Sequence, residues 1–460
     1  MSIKSVFICQ NCGAVHKKWS GKCDECGEWN TITEETGENG LTAQNFDIGK
    51  TMQTGNNLDF ENLGEDVARE IRFPTGIGEL DRALGGGIVR GSAILVGGDP
   101  GVGKSTLLLQ TSCHLANKNL NCYYISGEES TNQIRLRSRR LQLEKSPLRL
   151  VSATNIKDIV KFFLTSQPDA VVIDSIQTIF NPDLSSAAGT VSQVRSCAGE
   201  LINIAKNRDI ILIIVSHVNK DGQIAGPKVL EHMVDTVLHF EGDKDYQFRI
   251  LRTVKNRFGA ANEIGIFEMG DAGLMEISNP SQLFLSSRDD PVSGSAVFGG
   301  VEGTRPLLVE IQALLAPSYM PSPRRAVVGW DLNRLAMVSA VLGARCGINL
   351  YDKEIYLNVV GGFKIEEPAA DLAIAASLIS AFKDIAVPKN IVFIGEVGLS
   401  GEVRMVSQID MRIKEAEKLG FKTIIAPDGI NKIKTFRKEK FSVEIIPVKH
   451  IRDLSFLFKK

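Results

Sequence analysis

The stretch SAILVGGDPGVGKSTLLLQ, residues 92 to 110, constrains this chain more than any other. An apolar run of strand character enters a glycine-rich turn, and the turn opens directly into a helical pattern. Gly98, four further residues, then Gly103, Lys104 and Ser105 reproduce the phosphate-binding loop. The physics requires each part. Across Gly98, Asp99, Pro100, Gly101, Val102 and Gly103 the glycines let backbone N–H groups converge on a β-phosphate. Lys104 then reaches β and γ oxygens, Ser105 ligates Mg²⁺, and Thr106 follows in the first helical turn. The expected ligands are ATP and Mg²⁺.

The surrounding sequence alternates in the way such a loop needs. NCYYIS, LRLVSA, AVVIDS and IILIIVSH read as further strands, with IKDIVKFFLTS and VRSCAGELINIAKN as helices between them. That order implies crossover units and a mostly parallel α/β sheet covered on both faces. AVVIDS ends in Asp174, placed to hold Mg²⁺ through water. In YYISGEES, Glu128 and Glu129 follow a strand expected to neighbour the phosphate loop, where a carboxylate can polarise an attacking water. A solvated acidic loop is the alternative for either residue.

With 460 residues the chain is expected to hold several domains: 1–30, a linker over 31–63, an ATPase core over 64–280, and a second α/β block over 281–460. The first block, CQNCGAVHKKWSGKCDECG, sets Cys9 and Cys12 two residues apart, then Cys23 and Cys26 likewise after a ten-residue interval. Two such knuckles place four thiolates around Zn²⁺, and a block this small needs such a staple. Two disulfides are the alternative, and His16 reads as a bystander. Four of the eight cysteines cluster here, no secretory signal precedes them, and no apolar run spans a bilayer. A cytoplasmic protein without a membrane partner is expected. The net charge of −1 leaves any nucleic-acid contact to local patches.

VKNRFG, residues 254 to 259, taken alone is a charged strand end after FRILRT. In order with the phosphate loop, YYISGEES, VVIDS and VSHVNKDG, it resembles the RadA (Sms) family of bacterial recombination and repair ATPases over essentially the whole chain. The resemblance implies a RecA-like core, similar also to the replicative helicase DnaB. It implies a homo-hexameric ring around DNA, with nucleotide between neighbouring subunits. The implied activity is DNA-stimulated ATP hydrolysis that drives branch migration or unwinding in homologous recombination. Single-stranded and branched DNA, and a recombinase or replication-helicase partner, follow from the same resemblance. It assigns water activation to Glu128, with Glu129 second, and sends Lys255 and Arg257 across the subunit boundary toward a neighbour's γ-phosphate.

DNA contact is expected at NPDLSSAAGTVSQVR and NKDGQIAGPKVLEH, with Lys220 and Lys228 on phosphates, or these are plain solvated loops. The arginines of QIRLRSRRLQ spread around a helix, which suits a solvated or subunit-facing surface as well as a DNA track. The C-terminal block resembles the Lon protease domain but departs from it where it matters. Ala369 stands at the serine position and Asp410 at the lysine position, while Ser377 and Lys414 are out of register. Neither a methyl group nor a carboxylate replaces the Ser–Lys dyad, so a scaffold rather than a protease is expected. The other functional class open to the chain is an ATP-switched DNA-binding loading or scaffolding factor without motor activity.

Overall fold

The computed structural model describes residues 6–9, 14–16, 18–25, 27–35, 71–217, 228–242, 248–285, 291–320, 322–430 and 441–458. They form two compact units, Met1–Ile277 and Ser278–Lys460. The first unit begins with a three-stranded antiparallel ribbon, β1 (Val6–Cys9), β2 (Val15–His16) and β3 (Ile32–Glu35). β3 pairs with β1 along its whole length, from Val6↔Glu35 to Cys9↔Ile32. The ribbon therefore takes in residues 32–35, which the sequence reading placed in the linker; residues 36–63 lie outside the described residues.

The core of this unit runs β4 (Ala93–Gly98), α1 (Lys104–Asn117), β5 (Cys122–Ser126), α2 (Thr131–Arg140), β6 (Arg149–Ser152), α3 (Ile156–Ser166), β7 (Ala170–Asp174), α4 (Val191–Asn207), β8 (Ile211–Val215), α5 (Lys228–Met233), β9 (Thr236–Glu241), β10 (Phe248–Asn256), β11 (Ile264–Gly270) and β12 (Gly273–Glu276). Among the described residues these strands make one nine-stranded sheet in the order β12-β11-β10-β9-β4-β8-β7-β5-β6. The part from β9 to β6 is parallel, and β10, β11 and β12 add an antiparallel extension. Strand alternation sends successive side chains to opposite faces, and the core divides accordingly. Ile94, Val96, Val172, Ile211 and Ile213 pack with Leu107, Leu108 and Leu115 of α1 on one face. Ala93, Leu95, Val171, Ile173, Leu212 and Ile214 pack with Ile159, Phe163, Val194 and Leu201 of α3 and α4 on the other. Continuous apolar strands are thus explained by burial on both sides.

Local chemistry fixes the helix ends. Ser130 and Gln133 form a reciprocal capping box on α2, and Asn155 caps α3. The arginine-rich α2 buries Ile134, and its arginines divide: Arg137 turns inward, while Arg135, Arg139 and Arg140 stay exposed.

The second unit is built from β13 (Ser295–Glu302), β14 (Arg305–Pro317), β15 (Arg325–Val328), α6 (Leu332–Cys346), β16 (Lys353–Val359), α7 (Asp371–Lys383), β17 (Ile391–Phe393), α8 (Ile409–Lys418), β18 (Thr423–Pro427) and β19 (Glu444–Val448). Its seven-stranded mixed sheet runs β15-β16-β14-β13-β17-β18-β19 among the described residues. Two buried ion pairs organise the segments that match Lon. Arg412, 1% exposed, donates to both Glu367 oxygens (3.0 and 2.6 Å) and to the carbonyls of Gly299 (2.7 Å) and Ser407 (3.1 Å). Arg334 donates Nε to Asp371 Oδ1 at 3.1 Å and Nη2 to Oδ2 at 2.5 Å, and Val397 N–H donates to Oδ2 at 3.1 Å. Ala369 and Ala370 are buried beside that pair.

Arg412→Met leaves Glu367 and two carbonyls without their cation. It is expected to destabilise this unit by about 3 kcal/mol, the lower end for a broken buried pair, because Glu367 keeps some solvent. Denaturant unfolding followed through the buried Trp330 measures this, and an unshifted midpoint would contradict it.

Candidate functional site

The chemistry gathers where parallel strands β4, β5, β7 and β8 all end, at the carboxyl edge of the sheet. α1 starts without a side-chain cap: Gly103 takes the N-cap position at φ 116°, so the first N–H groups of the helix are left for a bound anion. At Gly101, φ is 83° and a Cβ would meet nothing within 4 Å, so the loop presents an open cradle. Lys104 is buried, and its Nζ donates to the carbonyls of Gly98 (2.6 Å) and Asp99 (2.9 Å). Burial lowers its pKa, opposed by the charges of Asp174, Asp99 and Glu128. A cation folded onto its own loop beneath an open backbone cradle suits a triphosphate, which replaces those carbonyls as partner.

Asp174 ends β7 in a buried position, and Tyr124 donates its hydroxyl to Asp174 Oδ2. Burial, then the Asp174 charge, push the Tyr124 phenol well above its usual range, against Arg137 and Ser105. Tyr124 thus holds Asp174, one of the two residues whose oxygens suit Mg²⁺. The sequence reading missed it, although β5 puts Tyr124 beside Val172 and Ser126 beside Asp174 in register.

The two glutamates part company. The expectation that their strand neighbours the phosphate-loop strand is corrected, because β7 and β8 stand between β5 and β4. The loops after these strands nevertheless converge over the sheet edge. Glu128 accepts from the Ser175 hydroxyl and lies 3.0 Å from His217 Nε2. His217 Nδ1 is 3.4 Å from Lys104 Nζ, so the tautomer that accepts from Lys104 and donates to Glu128 satisfies both contacts. Burial pushes the Glu128 carboxyl up, but Ser175, His217 and the Lys104 charge outweigh it and hold the pKa below the ordinary value. Glu129 instead forms an ion pair with Arg137 of α2. His217, Ser175 and Arg137 lie within VSHVNKDG, AVVIDS and QIRLRSRRLQ, but the sequence reading gave none of them a role of its own. The signal that could have found His217 is position, since it closes the strand next to the phosphate loop.

Lys255 and Arg257 stand apart from this cluster. β10 pairs with β9 so that Asn256 lies opposite Thr236, and Thr236 lies opposite Ile94 at the start of β4. Gly98, where the phosphate loop begins, lies opposite Phe240 instead. Lys255 Nζ donates to the carbonyls of Glu231 (2.7 Å) and Val234 (2.8 Å), and Arg257 Nη1 donates to Asp235 Oδ1 at 3.1 Å. Asp235 in turn holds Ala93 N–H at 3.1 Å. The cations are therefore at the amino end of β4 and the phosphate loop at its carboxyl end. Five residues of extended strand, about 17 Å, separate them.

Of the expected DNA loops, residues 181–190 are laced by the buried Gln193. Its amide donates to the carbonyls of Asn181 (3.2 Å) and Ser186 (2.8 Å) and accepts from Asn181 N–H (2.7 Å). Residues 181–190 carry no basic side chain, so phosphate contact there would fall to backbone N–H groups and to Asn, Ser and Thr side chains, while Arg195, the last residue of the expected segment, lies on α4. Lys220 and the Lys228 side chain lie outside the described residues. So do Cys12 and Cys26; the other two cysteines, Cys9 and Cys23, are fully buried and pack with Ile32. Gly27 N–H turns back to Cys23 O at 2.9 Å, and His16 Nε2 lies 3.4 Å from Cys23 Sγ, next to a ligand position. Buried sulfurs on a knuckle turn suit zinc.

Family models match three segments: a rubredoxin metal binding domain over 7–34, an AAA domain over 67–223, and subunit ChlI of Mg-chelatase over 334–430. Across the full length, the chain is 52% identical to the DNA repair protein RadA of Rickettsia felis, covering 99% of each chain. It is 53% identical to that of Brucella abortus over 92% of this chain and 91% of the relative. For that of Bacillus subtilis the figures are 48%, 98% and 97%. The chain belongs to the RadA family. Its make-up of zinc ribbon, P-loop ATPase core and Lon-like α/β domain is that of the family as the three models divide it.

Two outcomes are expected of a RadA-family chain with this geometry. Ser175→Ala removes a donor to ionised Glu128 and so raises the carboxyl pKa. If Glu128 is the base, the acid limb of the pH–rate profile for ATP turnover moves to higher pH, and an unmoved limb would rule out that role. For the ribbon, the native protein is expected to carry zinc. Chelation should abolish amide protection over residues 6–35 while basal ATP turnover persists, whereas protection that survives metal loss would show that the ribbon does not need the metal.

Proposed function

We propose that this chain is a DNA-dependent ATPase of DNA repair and homologous recombination. It works as a ring of identical subunits in which ATP lies between neighbours and hydrolysis drives branch migration or unwinding of recombination intermediates. The observation that carries the reading is the separation of the site into two halves at opposite ends of β4. Among the described residues, one subunit brings the phosphate loop, Lys104 and the carboxylates to one edge of its sheet and the VKNRFG cations to the other. The cations of VKNRFG are too far away to serve their own loop, so they serve another subunit's. Full-length identity to proteins named for DNA repair supports the biological setting.

Within this reading Lys104 leaves the carbonyls of Gly98 and Asp99 for the β and γ oxygens, and the open N-terminus of α1 takes up phosphate charge. Ser105 and Asp174 would hold Mg²⁺, which supplies charge neutralisation on the phosphates. Glu128, ionised and oriented by Ser175 and His217, accepts the proton of the attacking water. Glu129 is occupied by Arg137 and serves the architecture. The VKNRFG segment that carries Lys255 and Arg257 supplies transition-state charge from the next subunit, which makes turnover conditional on assembly. Cys9, Cys12, Cys23 and Cys26 would hold Zn²⁺, and Lys220 and Lys228 meet DNA phosphates without reading sequence.

Subunit mixing tests the divided site. Lys104→Ala and Arg257→Ala are each expected to abolish turnover alone. Mixed in equal amounts and reassembled, they restore about a quarter of wild-type turnover, since one interface in four joins an intact loop to an intact Arg257. No recovery in assembled rings would defeat the divided site. Rings that hydrolyse ATP on single-stranded DNA yet leave every branched substrate in place would favour the loading-factor class over a motor.

A further inference from the structure

We propose that the two cations of VKNRFG have separate duties. Arg257 alone is offered to a neighbouring subunit's phosphates, while Lys255 and Asp235 are positioning residues that set where Arg257 stands. This rests on the reading that the motif acts across a subunit boundary.

The contacts of the two side chains differ in kind. An ammonium has three N–H donors and no acceptor. Lys255 directs them at Glu231 O (2.7 Å), Val234 O (2.8 Å) and, at the limit of bonding distance, His232 O (3.5 Å). These carbonyls belong to the end of α5 and the residues just after it, where a helix leaves acceptors without partners. Lys255 thereby ties the end of β10 to the end of α5. Its donors are committed within its own chain.

Arg257 is the reverse. Its side chain is 54% exposed, and among the described residues its guanidinium contact is one bond from Nη1 to Asp235 Oδ1. A guanidinium has five donors in a fixed fork, so the remaining ones are free to meet a phosphate. The anchor beneath it is firm. Asp235 is buried and holds Ala93 N–H on Oδ2 (3.1 Å) and Lys206 Nζ on Oδ1 (2.8 Å). Asp235 N–H donates to Ala93 O at 2.9 Å, and Arg257 N–H donates to Asp235 O at 3.1 Å. The exposed arginine is thus registered, through one carboxylate, on the first residue of the strand that ends in the phosphate loop. An arginine that must reach across a boundary needs such a fixed base, because a small misplacement of a charge-stabilising group costs much of its effect.

The test is a pair of mutant cycles on the full-length protein with DNA and ATP. Arg257→Ala is expected to lower turnover by about a thousandfold or more. Lys255→Met is expected to lower it by about tenfold, through misplacement alone, with faster hydrogen exchange over residues 228–233 and 253–257. If Lys255 acts through Arg257, the double variant turns over as Arg257→Ala does, within about twofold. A double variant a further tenfold slower would show that Lys255 touches the reaction independently, and would overturn the division of duties. Wild-type turnover and exchange in Lys255→Met would overturn it as well. Asp235→Asn, combined with Arg257→Ala in the same way, gives a second cycle should Lys255→Met fail to fold. Undiminished turnover in Arg257→Ala would instead defeat the underlying reading of a finger in trans, while exchange in Lys255→Met still reports whether Lys255 holds α5.

Discussion

A parallel strand has a direction, and the direction of β4 governs most of what this unit can do. β5, β7, β8 and β9 run alongside it in parallel order, so Asp174, Glu128, His217 and the phosphate loop all leave the sheet at one edge. β10 runs back against β9 and delivers Lys255 and Arg257 to the opposite edge. No side-chain rearrangement closes a gap set by strand length. Strand polarity therefore keeps Lys255 and Arg257 away from the phosphate loop of their own chain, which is what the proposed division of the site between subunits requires.

At the carboxyl edge each charged group rests on a protein partner, and for Lys104 that partner is an acceptor that a phosphate oxygen can replace. Lys104 is desolvated and rests on loop carbonyls. Asp174 rests on the Tyr124 hydroxyl, and Glu128 on Ser175 and His217. Buried polar groups without partners are costly, so these contacts help hold the site together. They also explain why Glu128 stays ionised although burial opposes it: a carboxylate that accepts from two side chains is stabilised in its charged form. The proposed water activation and the integrity of the site draw on the same hydrogen bonds.

What the sequence disclosed follows from how local each signal is. The phosphate loop, the strand ending in Asp174 and the alternation of apolar runs are contiguous, and the fold has them where the pattern puts them. The roles of Glu128 and Glu129 were not separable, because two adjacent carboxylates look alike until partners 47 and 89 residues from Glu128 in sequence, Ser175 and His217, arrive. Tyr124 hid in a strand where a buried aromatic is the ordinary expectation. Asp235 hid in the same way, as one acid at a strand start. Arg137 was legible only as part of a cluster, and the burial of Ile134, about one helical turn earlier, decides which arginine faces in. The ribbon's third strand was lost to composition, since ITEE reads as polar linker until it pairs with β1.

The second unit shows what becomes of a catalytic frame when its reactive groups are absent. A Ser–Lys dyad needs an unpaired nucleophile beside an amine whose charge is suppressed. Here Ala369 offers a methyl group and Asp410 an anion, and the residues around them are committed to one another. Arg412 and Glu367 stitch together the two segments that match the dyad, and Arg334 and Asp371 hold the helix that follows Ala369 against Val397. Such pairs add little net stability over apolar packing, yet breaking one is costly because it strands a buried charge. Their effect is to fix one arrangement. The segments that match the dyad are bonded to their neighbours, which suits a surface that keeps its shape.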